Sequence, residues 1–203
     1  INPIVTPDGH GLFFIRVYDH ENTGGSSDYS DIYYAKSGAD HKWQQAVNMK
    51  RPLNNSSTNS VNSVTPDGNT LFLLHTYNDD GSFKAGGLSL SNKSGNSWEI
   101  PKDLTIIDYY NLNEYNEFCM SNGKNIIVMA IERDDTHGKK DLYVSFNIEG
   151  QLWSSPLNLG PVINSYEGEI SPFLAADNST LYFSSDGHPG YGSNDIFLSR
   201  RLD

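Results

Sequence analysis

Trp43, Trp98 and Trp153 recur at a period of 55 residues, and a chain with such a period has to bury its core by stacking one small unit on the next. Two further markers keep the same step. Asp31-Ile32-Tyr33, Gly87-Leu88-Ser89 and Asp141-Leu142-Tyr143 precede the tryptophans by 11 or 12 residues, and Asp195-Ile196-Phe197 supplies a fourth copy. Thr6-Pro7-Asp8-Gly9, Thr65-Pro66-Asp67-Gly68, Ser121-Asn122-Gly123 and Ala176-Asp177-Asn178 are turn signals, in which Pro presets φ and Asp-Gly or Asn-Gly accepts a positive φ.

After each turn comes an apolar segment: LFFIRVY, LFLLHTY, IIVMAI and LYFSS. The first three are too continuous for a strand with one wet face and too short and β-branched or aromatic for a helix, so they read as strands buried on both faces. A polar, glycine-rich loop leads to a third strand such as DIYYA or DLYVSF, and a fourth is expected around each tryptophan. No stretch carries a helical stripe free of glycine. The chain is therefore read as all-β, in four antiparallel four-stranded meanders that need face-to-face stacking to be stable, which is the β-propeller solution. A single domain over 1–203 is expected, with repeats of about 1–54, 55–111, 112–164 and 165–203.

The formal net charge of −11, with scattered Lys and Arg, argues against nucleic acid as a partner. The longest apolar run, Ile126 to Ile131, is strand-sized, so membrane insertion by this segment is not expected. The lone Cys119 rules out an intrachain disulfide framework. Ile1 follows neither a Met nor a leader, so any targeting segment is expected to be removed or to lie outside the chain.

The run GEISPFLAADNSTLYFSSDGHPGYGSNDIFLSRR, preceded by WSSPLNLGPVIN, resembles the WD40-like, TolB-type propeller repeat of periplasmic and outer-membrane-associated bacterial proteins, above all the propeller of OmpA-family proteins. The resemblance covers all four repeats and is strongest in the fourth. It implies a β-propeller at the bacterial periplasm or outer membrane and says little about a ligand. The second repeat departs from the pattern at Gly87-Leu88-Ser89, and the third lacks the Pro-Asp of its turn. No residues here resemble the peptidoglycan-binding domain of that family. A tryptophan at the next step would fall near position 207, so the fourth blade is expected to lack its outer strand and the chain to be a segment of a larger propeller. Open blade edges of that kind invite pairing with another chain.

The most distinctive loop runs from Asp186 to Asp195. Its glycines would allow close approach to a ligand, and Asp186, His188, Tyr191, Asn194 and Asp195 offer polar and aromatic contacts. The alternative is a repeated structural connection, since ENTGGSSDYSD and DDTHGKKD precede the same strand elsewhere. Strand-initial Asp31, Asp141 and Asp195 are expected to cap the loops before them rather than to bind cations. Glu114, Glu117, Glu167 and Glu169 lie near predicted first strands close to a propeller's axis, and a glycoside-hydrolysing propeller would use two or three such acids, Glu117 and Glu169 foremost. No nucleophile elbow accompanies them, so the reading is a binding or scaffolding module, not an enzyme, with a protein or cell-wall glycan as partner. No cofactor is implied. Asn78-Asp79-Asp80-Gly81 lacks calcium-loop spacing and the six histidines lack zinc spacing, so no metal is expected. Cys119 reads as a small buried hydrophobe, and the tryptophans as the packing of the repeat itself. Asn54, Asn55, Asn92 and Asn178 sit in glycosylation sequons that a bacterial context leaves without meaning.

Overall fold

The computed structural model describes residues 3–65 and 67–202; Pro66 of the second turn, Ile1 and Asn2 ahead of the first strand, and Asp203 lie outside the described residues. The chain falls into two compact units, Ile1–Leu104 and Thr105–Asp203, each holding two repeats. Regular structure among the described residues is all strand, apart from one 3-10 turn at Gly25–Ser27.

In the first unit, repeat one is a meander of β1 (Ile4–Val5), β2 (Gly11–Val17), β3 (Ser30–Lys36) and β4 (Val47–Asn48). Repeat two has β5 (Val61–Val64), β6 (Thr70–Tyr77), β7 (Phe83–Ser94), a short β8 (Ser97–Trp98) folded back on the end of β7, and β9 (Lys102–Ile106), which pairs with the middle of β7. The second unit repeats the plan with β10 (Glu117–Met120), β11 (Ile126–Ile131), β12 (Asp141–Glu149), β13 (Leu152–Trp153) and β14 (Leu157–Asn158). Its last sheet is β15 (Glu169–Leu174), β16 (Thr180–Ser185) and β17 (Asp195–Arg200), with β17 at the edge among the described residues.

The apolar runs become second strands at the expected places. β11 is buried throughout and β6 nearly so, whereas β2 is only half-buried along most of its length and Tyr182 on β16 is exposed. Within each unit the two repeats share a core. Phe13 and Ile32 of repeat one meet Val61, Leu71 and Leu73 of repeat two. Val128, Leu142 and Val144 of repeat three meet Leu174, Leu181 and Phe183 of repeat four. Cys119 is buried in the second of these cores, where burial pushes its thiol pKa up, as expected of a packing residue.

The tryptophan position differs from expectation. Each Trp lies in a short return that pairs with the tail of the third strand (Ser37 with Trp43, Lys93 with Trp98, Asn147 with Trp153), and the fourth strand proper begins four residues later, at Val47, Lys102 and Leu157. The indole is freed from the ladder to pack sideways: the Trp98 ring lies 6.1 Å from that of Phe13 in the repeat before it. Nor are the three equivalent. Trp153 is 1% exposed, but Trp43 is 47% exposed.

The four turns share one geometry. The N–H of Gly9, Gly68, Lys124 and Asn178 donates to the carbonyl three residues earlier, and all four residues have φ between 53° and 72°. In the third turn the positive φ therefore falls on Lys124, one position after the expected Gly123. The Asn78–Gly81 segment is also a turn, closed by Asp80 Oδ1 accepting from Ser82 N–H (2.9 Å) and Oγ–H (2.6 Å).

Beneath the apolar pattern lies a polar one. Asn54 pairs with the backbone of Ile32 in both directions, Oδ1 accepting from N–H (2.9 Å) and Nδ2 donating to C=O (2.9 Å), and Nδ2 also donates to Asn48 Oδ1 (2.9 Å). Asn48 Nδ2 in turn donates to Asp31 Oδ2 (2.6 Å). The second unit reproduces this clamp with Asn164 on Leu142 (2.8 and 3.0 Å), and with Asn158 Nδ2 donating to Asp141 Oδ2 (2.8 Å). The same aspartates cap their loops, Asp31 Oδ2 accepting from Thr23 N–H (2.7 Å) and Asp141 Oδ2 from His137 N–H (3.0 Å). Repeat two has lost the clamp. Gly87 replaces the aspartate and Asp103 takes the place of the asparagine on the fourth strand, where it pairs with Lys84 (2.5 Å).

Asp28 lies buried beside Asp31, and burial first, then that neighbouring carboxylate, push its pKa up. A raised folded-state pKa means that ionised Asp28 costs stability above its folded pKa and costs nothing below the unfolded carboxylate value near 3.9. Asp28→Asn keeps the acceptor for Gly24 N–H. It is expected to raise the melting temperature slightly at pH 7 and to leave it unchanged at pH 3, measured by circular dichroism.

Candidate functional site

The Asp186–Asp195 loop joins β16 to β17 and meets two others in the second unit: the β11–β12 connection and the segment entering β15. Lys139 ties the three together. Its N–H donates to the Glu167 carbonyl (3.1 Å), and its Nζ reaches Glu167 (2.6 Å) and Asp186 (3.8 Å). The hydrogen bond from Gly168 N–H (3.0 Å), with Lys139 nearby, holds the Asp186 carboxyl below its ordinary range, and the Glu167 bond raises the pKa of Lys139. Both charges persist at neutral pH in an exposed cluster.

The residues singled out from sequence divide between outward and inward roles. Tyr191 is fully exposed and Asn194 exposed, both aimed at solvent. His188 points inward, with Nε2 2.8 Å from the Ile163 carbonyl and its ring 5.1 Å from that of Phe197. Asp195 caps its own loop, Oδ2 accepting from Tyr191 N–H (2.6 Å) and Gly192 N–H (3.3 Å). The loop glycines serve the same internal packing: a Cβ on Gly187 would collide with Ser165, and one on Gly190 with the Asp195 carboxylate.

The two glutamates sit on adjacent first strands, and both are engaged by protein. Glu169 is buried, with Oε1 accepting from Ser165 Oγ (2.6 Å) and Ser185 Oγ (2.7 Å) and Oε2 from Ser165 N–H (3.1 Å). Glu117 accepts from Lys140 Nζ (3.1 Å) and from the Ser171 N–H. A buried carboxylate saturated in this way fixes the loop ahead of β15, as Asn59 does for the Asn55 N–H (2.9 Å) in repeat two.

Four antiparallel meanders, paired through a shared core within each unit, carry the architecture, and comparison with solved structures agrees. TolB from Acinetobacter baumannii superposes over 98% of this chain and 40% of its own, with a TM-score of 0.58 at 12% identity. The chain has a TolB-like propeller fold. A puromycin hydrolase matches over 98% of this chain and 26% of its own, with a TM-score of 0.52 at 10% identity. The chain thus spans well under half the length of either structure. No family model matches it, and no curated protein matches its sequence.

In propeller terms, the loop cluster belongs to one end of blades three and four. Sequence reasoning passed over Tyr166, which is exposed on the same cluster, and over Lys139, and it read Glu167 as an axial carboxylate rather than the partner of Lys139. The signal for them was present, since the segment entering β15 carries a tyrosine and two acids where repeat two has Ser56 to Ser60.

Proposed function

We propose that this chain is a non-enzymatic binding or scaffolding propeller module of the bacterial periplasm or outer membrane, whose loop face on blades three and four meets a protein partner or a cell-wall glycan. One observation carries the reading. Tyr166 and Tyr191 stand exposed on the two segments that Lys139 ties together through Glu167 and Asp186, while Glu117 and Glu169 are occupied in accepting from backbone N–H groups. Exposed tyrosines with charged neighbours are the usual anchors of protein interfaces, and their ring faces equally suit sugars. The location rests on the resemblance of the fourth repeat to OmpA-family propellers and is supported by the TolB-like fold. Peptidoglycan recognition by a domain of that family would be a property of neighbouring sequence.

The test is calorimetric titration with soluble muropeptides and with purified domains of envelope proteins. One of these ligands is expected to bind, with affinity at least about tenfold weaker in Tyr191→Ala or Tyr166→Ala, roughly 1.4 kcal/mol or more. Turnover of a glycan or peptide that disappears in Glu117→Gln would overturn the proposal in favour of hydrolysis.

A further inference from the structure

Where the β2–β3 connection of repeat one runs into β3, two acids lie side by side in the interior: Asp28, 4% exposed, and Asp31, not exposed at all. One oxygen of each is accounted for. Asp28 Oδ2 accepts from the Gly24 N–H (3.0 Å), and Asp31 Oδ2 accepts from the Thr23 N–H (2.7 Å), the Thr23 hydroxyl (2.9 Å) and Asn48 Nδ2 (2.6 Å). The other oxygen of each, Oδ1, is buried and accepts no hydrogen bond from the described residues. Buried anionic oxygens without donors are costly, and a cation or a proton placed against them relieves the cost.

The side chains around the pair do not supply the charge. Arg16 stands across from Asp31 on β2, but its guanidinium is committed to Asp19 and Glu21 (both 3.3 Å) and to the face of Tyr33 (4.4 Å). Asn22 is neutral and engaged, Nδ2 donating to the Arg16 and Asp28 carbonyls (3.2 and 3.3 Å) and Oδ1 accepting from the Tyr33 hydroxyl (3.1 Å). Repeat three serves as the control. Asp141, the equivalent of Asp31, is equally buried and its Oδ1 likewise lacks a bond, but His137 Nδ1 lies 3.2 Å from its Oδ2. Three residues ahead of it stands Gly138, where repeat one has Asp28. Repeat one therefore carries a second acid that repeat three omits, and it lacks the imidazole that repeat three has.

We propose that the Asn22–Asp31 segment of repeat one binds a calcium ion through Asp28 Oδ1 and Asp31 Oδ1. Between Asn22 and Asp31 the chain offers oxygen donors alone, in carboxylates, hydroxyls and backbone carbonyls, with no His or Cys. Such a set suits a hard divalent cation, and calcium, which accepts irregular geometry and water in its shell, over magnesium or zinc. Gly24 lets the loop close over the acids, since a Cβ there would stand 3.0 Å from Asp28 Cβ. Bound at this place, the ion fastens the loop to the polar clamp, because Asp31 also holds Asn48. Acids three apart lie outside the calcium-loop spacing, so the pair becomes visible only in the fold. The site belongs to the first unit and is independent of what the loop face of blades three and four binds.

Calorimetric titration of the EDTA-treated 203-residue chain with calcium chloride at neutral pH tests it. A single saturable site is expected, with magnesium chloride binding at least about tenfold more weakly. Asp28→Asn is expected to weaken calcium binding at least about tenfold, whereas Asp80→Asn, at an exposed turn of the same unit, leaves it unchanged. The effect of Asp28→Asn on the melting temperature changes sign. In EDTA the variant melts no lower than the wild type, because a like charge has gone, and in millimolar calcium it melts lower, because only the wild type gains from the ion. Terbium luminescence sensitised by Tyr29 and Tyr33 gives a reading that needs no variant, and calcium is expected to displace it. Absence of calcium binding by the folded chain, or full affinity in Asp28→Asn, overturns the proposal. So does a melting temperature that ignores calcium but falls with rising pH in the wild type alone, which makes the occupant a proton.

Discussion

Trp153→Ala is expected to destabilise the second unit by about 3–5 kcal/mol, whereas Trp43→Ala is expected to change stability by no more than about 0.5 kcal/mol. Both tryptophans hold the same place in the 55-residue period, yet Trp153 is 1% exposed and Trp43 47%. Truncation of the buried indole removes packing on every side and leaves a cavity, because the surrounding strands are held by their ladders and relax only partly. The Trp153 Nε1–H has no hydrogen-bond partner among the described residues, so the loss is one of packing and not of a hydrogen bond. Truncating the half-exposed indole merely returns surface to water. Urea unfolding followed by far-UV circular dichroism reads the difference as a fall in midpoint at constant m. Equal losses in the two variants would show that Trp43 is covered in solution.

The second large effect belongs to the polar clamp. Asn164→Leu is expected to cost about 2 kcal/mol, although leucine has a similar size and Asn164 is buried. The amide of Asn164 satisfies both the N–H and the C=O of Leu142, and it also donates to Asn158 Oδ1 (2.8 Å). Leucine would leave the buried Leu142 N–H without its partner, at about 1–3 kcal/mol, while the Leu142 carbonyl keeps the Leu159 N–H (3.0 Å), and it would remove the bond that holds Asn158 beside Asp141. Asn54→Leu is expected to cost the same in the first unit, because Asn54 makes the same bonds to Ile32. Amide exchange gives the residue-level reading: the Leu142 N–H should lose protection in Asn164→Leu while the Ile32 N–H keeps its own. Retained protection at Leu142 would mean that the clamp follows strand pairing and does not contribute to it.

The two variants also mark what the sequence makes legible. Apolar runs such as IIVMAI reach the page as strands at their exact bounds, because burial on both faces leaves a continuous signal that only a short strand satisfies. The period and the turns follow from residue identity in the same way. Less legible was the fourth strand. A tryptophan is the most conspicuous residue in its segment, but the ladder takes the plain residues four positions later, and the indole packs across to the neighbouring repeat. The clamp was visible as spelling without meaning: NMKRPLN and NLGPVIN place asparagines six apart after Trp43 and Trp153, while KDLTIIDY after Trp98 does not. Asparagine in a polar linker reads as solvent-facing until its partner backbone is known, and that partner lies 22 residues earlier. At the loop face, glycines that look like room for a ligand are room for Ser165 and Asp195, and His188 turns inward for a carbonyl. Tyr191 was legible and Tyr166 was not, since exposure is set by how the three connections lean on Lys139.

The spacing of the clamp has a temporal side. Strands within each meander are neighbours along the chain, so their loops close at small entropic cost, and each asparagine follows the residue it holds by only 22 positions. During synthesis, which proceeds from the N-terminus, the second and third strands of a repeat can meet in a hairpin before the segment bearing the asparagine emerges. Locking of the third strand therefore waits for the first residues of the connection to the following repeat, and the shared apolar core waits longer still. Order of assembly is thus written along the polypeptide: hairpin first, clamp second, and the joining of one repeat to the next last.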